Sequence, residues 1–458
     1  MGARIVGIAA VVVAACSPPS ADPPLRVQEP AAATDLDPNP DTVEIDLVAE
    51  VGTVEIDGIP SEVWAYRDNG SNGQLSMPGP LIDVIAGMRM VVHLTNNLPE
   101  STTLHFHGMR KPNEMDGTLA VQPAVLPGES FTYNFEVQDP GLFWYHPHIR
   151  TSEQVSRGLY GSVRVRGDGA IGETADRVLI LDDVELHDGE VDHEVDSEEL
   201  RVGRMGNTLL INGDPAPRSL HMVGRERWRI LNAANSRYFE LQLSGHNWRV
   251  TGIDSGPVPT WSTASLRIAP GERYEVAVDL LPGESAIVQS VHVDRGFDLP
   301  FEDAREILYL TAAPAMPSPP PIPTRTFLAQ EPLPADAGTF PLLLEEGVAP
   351  NGEPIFYVNG TPWPFADAVP RALDGIETWK VVNQTAGNHP FHLHGLFFTV
   401  QDVNGVAPPW DGLKDTVDIP PFGEADLTVH YHSLGFWMFH THLLDHASLG
   451  MMGEIWVQ

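Results

Sequence analysis

The sequence predicts an all-β protein of three Greek-key domains, and three observations carry that expectation. From Asp41 onward the chain runs in short alternating segments rich in β-branched residues, such as Thr42-Val43-Glu44-Ile45-Asp46-Leu47-Val48. These are separated by Gly, Pro, Asn and Asp at intervals typical of Greek-key sheets. Second, 41 Gly and 42 Pro punctuate a chain with few convincing helical runs. Third, a strand–Asn pattern recurs at domain-sized spacing. Gly79-Pro80-Leu81-Ile82 leads into Gly87 to Val92 and Asn96, Leu210-Ile211-Asn212-Gly213 leads into Trp228-Arg229-Ile230-Leu231-Asn232, and Val358-Asn359-Gly360 leads into Trp379-Lys380-Val381-Val382-Asn383. A chain of 458 residues is too long for one core and suits three domains of roughly 100–150 residues each.

Taken in order, the N-terminus comes first. Arg4 precedes an apolar run, Ile5 to Ala15, that is too short to span a bilayer but has the length of a signal-peptide core. The run ends in Val13-Ala14-Ala15-Cys16 before Ser17-Pro18-Pro19, which resembles the lipobox of bacterial lipoproteins. Residues 1–16 are therefore expected to be a lipoprotein-type signal peptide ending at a lipidated Cys16. The mature protein would be exported to the periplasm of a Gram-negative bacterium and tied to the outer membrane by that lipid alone. An ordinary signal peptide with a coincidental cysteine is the plainer alternative. Cys16 is the only cysteine in the chain, so a lipidated protein has no disulfide and no thiolate metal ligand.

Residues 17–40, rich in Pro, Ala and Asp without apolar periodicity, read as a disordered tether. The first domain is expected over 41–167 and the second, noncatalytic, over 168–313. A linker follows over 314–326, Pro-rich from Pro314 to Pro323, and the third domain spans 327–458. Lys plus Arg number 27 against 62 Asp plus Glu, a formal charge of -35 that repels phosphate and argues against a nucleic-acid partner. The acidic stretch Asp182 to Glu199 and the pair Glu345-Glu346 read as solvated loops.

Ten of the 18 histidines fall in four short clusters, two in the first third of the chain and two in the last. They are His105-Phe106-His107, His146-Pro147-His148, His389-Pro390-Phe391-His392-Leu393-His394, and His440-Thr441-His442-Leu443-Leu444-Asp445-His446. On a strand, residues i and i+2 project from one face, so each His-x-His pair aims two imidazoles at one point. Eight converging nitrogens exceed what one metal needs, and an all-imidazole site suits copper better than hard cations. Three coppers sharing eight histidines is the economical reading. His389 and Thr441 face the other way, and His446 and Met451 sit in a loop able to return to the same spot. Two His plus an axial Met form the frame of a blue-copper site, which expects a thiolate as its third in-plane ligand. Threonine stands there instead.

The four clusters, in this order, resemble the copper signatures of multicopper oxidases of the three-domain laccase, bilirubin oxidase and cuprous oxidase type, over roughly residues 45–458. Met115-Asp116-Gly117 through Gln122, Asn232-Ala233-Ala234-Asn235 and Ala269-Pro270-Gly271-Glu272-Arg273-Tyr274 extend the resemblance. It implies cupredoxin-like β-barrels, with the first and third clamping a trinuclear copper cluster and the second acting mainly as a spacer. His105 and His392 would bind the type 2 copper. His107, His146 and His442 would hold one type 3 copper, and His148, His394 and His440 the other. His389, His446 and Met451 match the type 1 ligands, and Asp116 matches the acid that guides protons. Dioxygen would be reduced to water at the expense of a small-molecule or metal-ion electron donor, by a protein expected to be a monomer.

The chain departs from the family at Thr441, where the signature reads His-Cys-His, and at Ala447, where many relatives carry an acid. A threonine hydroxyl is neutral and hard, so blue colour is not expected. A fourth copper stays open: the His389–His446–Met451 remnant is either a colourless cuprous site or an empty polar pocket. Also open is whether the protein is an oxidase fed by another route, a retired copper-binding or scaffold lipoprotein, or an oxidase in which Thr441 was engineered. His430 and His432 form one more pair, expected to face solvent, and the 12 methionines are scattered as core and gap-filling residues. A double-cupin dioxygenase would keep one metal within each half, and a zinc hydrolase needs three ligands and an open position. Neither wants eight histidines split between the chain's ends.

Overall fold

The computed structural model describes residues 25–458 apart from positions 72, 168, 188, 189, 298, 330 and 331; the expected signal peptide with Cys16 lies outside them. The alternating segments form strands throughout, and the described helices of more than one turn are short: Thr151–Ser156, Ser197–Val202 and Leu444–Ser448. The strands build three cupredoxin-like Greek-key barrels, each made of two facing sheets.

In the first barrel, one sheet runs Leu75–Ser76, Ile59–Asp68, Thr42–Ile56, Arg89–Asn97 and Ser130–Glu136. The other runs Gly79–Ile85, Gly161–Arg166, Gly141–His146 and His105–His107. The third barrel repeats the plan. One sheet holds Thr339–Val348 and Ile376–Asn383, and the other runs Val369–Arg371, Met452–Val457, Gly435–Thr441, His389–Leu393 and Thr416–Ile419. In all three barrels the opening strand pairs in parallel with the strand that carries the recurring Asn: Thr42–Ile56 with Arg89–Asn97, Ala175–Val184 with Glu226–Asn232, and Thr339–Val348 with Ile376–Asn383.

That recurring Asn has one job in three places. Asn96, Asn232 and Asn383 are buried, and each side-chain NH2 donates to backbone carbonyls of the following turn and of a residue about 30 to 40 positions on: Val125, Ile268 and Ile419. Each side-chain oxygen then accepts from the backbone N–H two residues on, at Leu98, Ala234 and Thr385. The amide thus closes the turn that reverses the chain between the two sheets, where buried backbone groups need partners.

Each barrel has its own apolar core, centred on residues such as Leu94 and Phe143, Trp228 and Trp248, or Trp379 and Phe439. A further buried cluster containing Trp144, Tyr160, Ile180, Leu231 and Leu444 joins side chains of all three. Residues 26–36, within the expected tether, lie against the barrels: Val27 N–H donates to Ser219 O and Ala33 N–H to Leu81 O. The acidic stretch differs from the solvated loop expected of it. Asp182 and Asp183 belong to the strand Ala175–Val184, and burial, then the Asp183 charge, pushes Asp182 up to about 7. Asp183 accepts from Arg237 Nε at 2.6 Å, so a buried ion pair satisfies the carboxylate that a loop would leave to water.

Candidate metal centre

Two strand pairs, one in the first barrel and one in the third, deliver the histidines. His105–His107 pairs antiparallel with Gly141–His146, setting His105 opposite His146, and His389–Leu393 pairs with Gly435–Thr441, setting His392 opposite His440. Direct cross-strand neighbours share a face, so each barrel presents a patch of imidazoles and the two patches meet. His107 and His392, from different barrels, stack with ring centroids 3.7 Å apart, and His105 stacks on His394 at 3.9 Å. All eight are buried except His148, which is half-buried.

The hydrogen bonds show what this packing leaves over. His105, His146 and His392 donate from Nδ1 to the carbonyls of Asp116, Pro147 and Asp415, at 2.7, 2.9 and 2.9 Å. His107 uses Nε2 instead, 3.1 Å from Asp415 Oδ1. The remaining nitrogens, His105 Nε2, His107 Nδ1, His146 Nε2 and His392 Nε2, are buried lone pairs with no partner, and neither nitrogen of His442 has one. His394 donates from Nδ1 to Asp116 Oδ2 at 2.8 Å and His440 from Nδ1 to Thr441 O at 2.7 Å. Their Nε2 atoms therefore both carry lone pairs, yet they face one another at 3.0 Å, with His148 Nε2 at 3.4 Å. Lone pairs aimed together without a proton repel, and a shared cation at about 2 Å from each nitrogen relieves this.

Ligand-competent atoms converge in three all-histidine groups. These are His107, His146 and His442; His148, His394 and His440; and His105, His107 and His392. A fourth adds Asp116 to His105 and His394. Burial first of all lowers His105 to about 4 and His148 to about 3, and holds His107, His146, His394, His440 and His442 well below the usual imidazole range, so these seven are neutral at pH 7 and fit a metal donor set.

A second layer fixes the rings, and most of it was not legible in the sequence. Asp415 holds His107 with its side chain and His392 with its carbonyl. Arg273, from the middle barrel expected to be a spacer, clamps both oxygens of Asp415 at 2.7 and 2.6 Å. Lys111 reaches Asp116 Oδ1 at 3.0 Å. Burial alone would raise Asp116, but the Lys111 ammonium and the neighbouring imidazoles hold it well below the carboxylate range. In the sequence Asp415 and Lys111 are only charges beside other polar or charged residues, Lys414 and Thr416 or Arg110, with no pattern to mark them.

On the opposite face of the same strands lies the second histidine set. His389 and His446 have ring centroids 5.3 Å apart, with Met451 fully buried in the adjoining core. Thr385 donates its hydroxyl to Asn383 Oδ1 at 2.8 Å and accepts from His389 Nε2 at 2.9 Å. His389 Nδ1 is left as an acceptor, and Thr441 Oγ1 donates to it at 3.0 Å. His446 sits on the helix Leu444–Ser448 rather than in the expected loop, donates from Nε2 to Arg201 O at 3.0 Å, and keeps an unpartnered Nδ1. With no thiolate and with His389 satisfied by two hydroxyls, this set does not fit a blue cupric site. His430 and His432 are half-buried, with rings 5.9 Å apart, and join neither set.

Three profiles of one family, described as multicopper oxidase, match residues 49–169, 176–296 and 341–458 in succession. The chain is 29% identical to the multicopper oxidase mco of Staphylococcus haemolyticus, with 85% of each chain covered. It is also 29% identical to the cell division protein FtsP of Shigella dysenteriae, over 87% of this chain and 86% of the other. A solved multicopper oxidase of Campylobacter jejuni, described as a metallo-oxidase, superposes with a TM-score of 0.84 at 24% identity, over 95% of this chain and 96% of the other, a likeness of fold.

Proposed function

Because the chain belongs to the multicopper oxidase family, we propose that its eight inward-facing histidines bind three coppers and that the protein reduces dioxygen to water while oxidising a small-molecule or metal-ion donor. The observation that carries this reading is the set of buried imidazole lone pairs converging without a hydrogen-bond partner. Neutral polar atoms in that position cost about 1–3 kcal/mol each unless something occupies the space between them.

His105 and His392 are assigned to a type 2 copper, His107, His146 and His442 to one type 3 copper, and His148, His394 and His440 to the other. Bound there, the coppers would supply the one-electron redox chemistry that dioxygen reduction requires. The chain's part is to hold and orient. Asp415 and Arg273 fix the rings of His107 and His392, which keeps the bare nitrogens pointed inward. Asp116, tied to His394 and held ionised by Lys111, accepts protons bound for the product. At the remnant set a copper would first have to displace the Thr441 hydroxyl from His389, so a fourth copper is not part of the resting site. We place the protein outside the cytoplasm, anchored by lipid at Cys16, which lies outside the described residues.

A second reading has its own support. Thr441 removes the thiolate through which donors deliver electrons in a blue-copper enzyme, and relatives named cell division protein FtsP match 87% of this chain at 29% identity. Under that reading the chain is a retired, lipid-anchored copper-binding or scaffold protein. Copper per chain, measured by elemental analysis after loading and desalting, separates the two. About three coppers, with donor-dependent oxygen consumption, supports the oxidase. About four shows that the remnant also binds, and a value near zero leaves the scaffold.

A further inference from the structure

The middle barrel carries no cluster histidine, yet one of its turns lies against the metal centre, and the same turn occurs in the first barrel facing open space. There it is Leu126-Pro127-Gly128-Glu129, and in the middle barrel it is Ala269-Pro270-Gly271-Glu272. The backbone bonds correspond. Gly128 N–H donates to Asn96 O and Gly271 N–H to Asn232 O, and the glutamate N–H reaches back to Leu126 O or Ala269 O. The two glycines share the left-handed conformation, with φ of +82° and +84°. Their surroundings differ. Leu126 to Glu129 are all exposed, and a Cβ on Gly128 would meet nothing within 4 Å. Ala269 to Glu272 are all buried, and a Cβ on Gly271 would stand 2.9 Å from Cγ and Cδ2 of His442 and 3.2 Å from its Nδ1. Carbon atoms pack at about 3.5–4.0 Å, so the turn lies on the imidazole only because position 271 has no side chain.

His442 is also the ring that hydrogen bonds hold least. His105, His107, His146, His392, His394 and His440 each give one ring nitrogen to a carbonyl or a carboxylate. Both nitrogens of His442 are buried without a partner. What surrounds it is surface: Gly271, and the indole of Trp144 with its ring centroid 5.3 Å away. Trp144 also lies 5.2 Å from His107 and 4.3 Å from His146, the two histidines that converge with His442. An imidazole with no hydrogen bond turns about its Cβ–Cγ bond until packing stops it. The turn is itself held. Arg273 donates from Nη1 to Gly271 O at 3.2 Å, while the same guanidinium clamps Asp415.

We propose that Gly271 is a positioning residue of the metal centre, its bare Cα setting the angle of the His442 ring where most of the other rings use a hydrogen bond. The role rests on the proposed copper reading and gives the middle barrel a share in the cluster. From one turn that barrel reaches three of the eight histidines: His107 and His392 by way of Arg273 and Asp415, and His442 through Gly271 directly. A methyl group at 271 pushes the ring away from the point it shares with His107 and His146. That position then loses a ligand, while the group His148, His394 and His440 keeps all of its own. Gly128 supplies an internal standard, since alanine there meets the same left-handed backbone and no neighbour.

The test uses the whole protein and the variants Gly271→Ala and Gly128→Ala. After copper loading and desalting, Gly271→Ala should hold about two coppers per chain and Gly128→Ala about three. In copper-free protein both substitutions should lower Tm, Gly271→Ala by more, because it adds a collision to the shared backbone strain. Adding His442→Ala removes the ring and should bring the Gly271→Ala loss down to that of Gly128→Ala, a coupling that a double-mutant cycle reads without any metal. The same pairing covers a Gly271→Ala chain that does not fold: recovery with His442→Ala supports the contact, and continued misfolding overturns it. Three coppers in Gly271→Ala, held against a chelator as tightly as in wild type, overturn the positioning role and leave the copper reading standing. Wild-type protein that binds no copper overturns the copper reading and this role together.

Discussion

The two faces of the strand Gly435–Thr441 and its neighbour His389–Leu393 carry two histidine sets of the same origin and opposite condition. On one face, rings are tied by one nitrogen to carbonyls and carboxylates while the other nitrogen is left bare. On the other, the hydroxyls of Thr385 and Thr441 take both nitrogens of His389. Both faces are equally dry, so burial does not distinguish them. What differs is how many lone pairs the protein itself satisfies: several nitrogens stay bare on the first face, and on the second only His446 Nδ1 does. Lone pairs left open cost stability in the metal-free fold, a cost that a bound metal removes. The first set offers a donor set with open nitrogens, and in the second His389 is hydrogen-bonded at both of its nitrogens.

The largest effect that divides the two faces is on metal content. Replacing His440 and His442 together by Ala removes ligands from both proposed type 3 positions. Copper per chain should fall from about three to at most one. Replacing His389 by Ala should leave about three. Elemental analysis of the loaded variants checks both, and loss of copper from the His389 variant would reverse the contrast.

Next comes the support behind the open face. Asp415 is fully buried between His107 and Arg273. Asp415→Ala strands the Arg273 guanidinium without its partner, which typically costs about 3–5 kcal/mol for a buried pair. It also frees the ring of His107, a loss that usually weakens metal affinity by about 10–100-fold. Calorimetry of the copper-free protein reads the first effect and competition with a chelator reads the second. A loss of affinity without a loss of stability would mean that Arg273 finds another carboxylate, with Asp254 the nearest candidate at 3.6 Å.

How much of this contrast the sequence disclosed follows from the range of the interactions. Strand alternation is local, so the four His-x-His pairs and the reversed orientation of Thr441 were legible from spacing alone. The recurring Asn was visible as a repeat, although its role in closing a turn needs the carbonyls it meets across the barrel. Asp415, Arg273 and Lys111 carry no periodic signal. Their meaning arises only when strands far apart in sequence meet, as when Arg273 of the middle barrel reaches Asp415 of the third. Asp182 misled for the same reason: an acidic run looks solvated until Tyr160 and a buried strand close around it. At Ala447 the sequence shows only that an acid carried by many relatives is missing from one position.

Of intermediate size is the conversion of the closed face to an open one. In Thr441→Cys a thiol replaces the hydroxyl beside His389 Nδ1. With His389, His446 and Met451 already gathered, the variant should take up one further copper on loading and gain blue absorption. If no blue colour develops, the assignment of these residues as a remnant type 1 site is wrong.

The smallest change separates a hydrogen bond from a metal as the group that satisfies His389. Thr441→Val keeps the shape of the side chain and deletes the hydroxyl, leaving His389 Nδ1 and, at 3.3 Å, the Leu443 N–H without their partner. An unmet buried group costs about 1–3 kcal/mol. For a domain of this size each kcal/mol lowers Tm by about 2–4 °C, so a fall of a few degrees is expected. The loss should be the same with and without copper, because the eight-histidine face does not share this bond. If instead the variant is as stable as wild type once copper is loaded and weaker only without it, a cuprous ion takes over His389 in the loaded protein, and the remnant is a working fourth site.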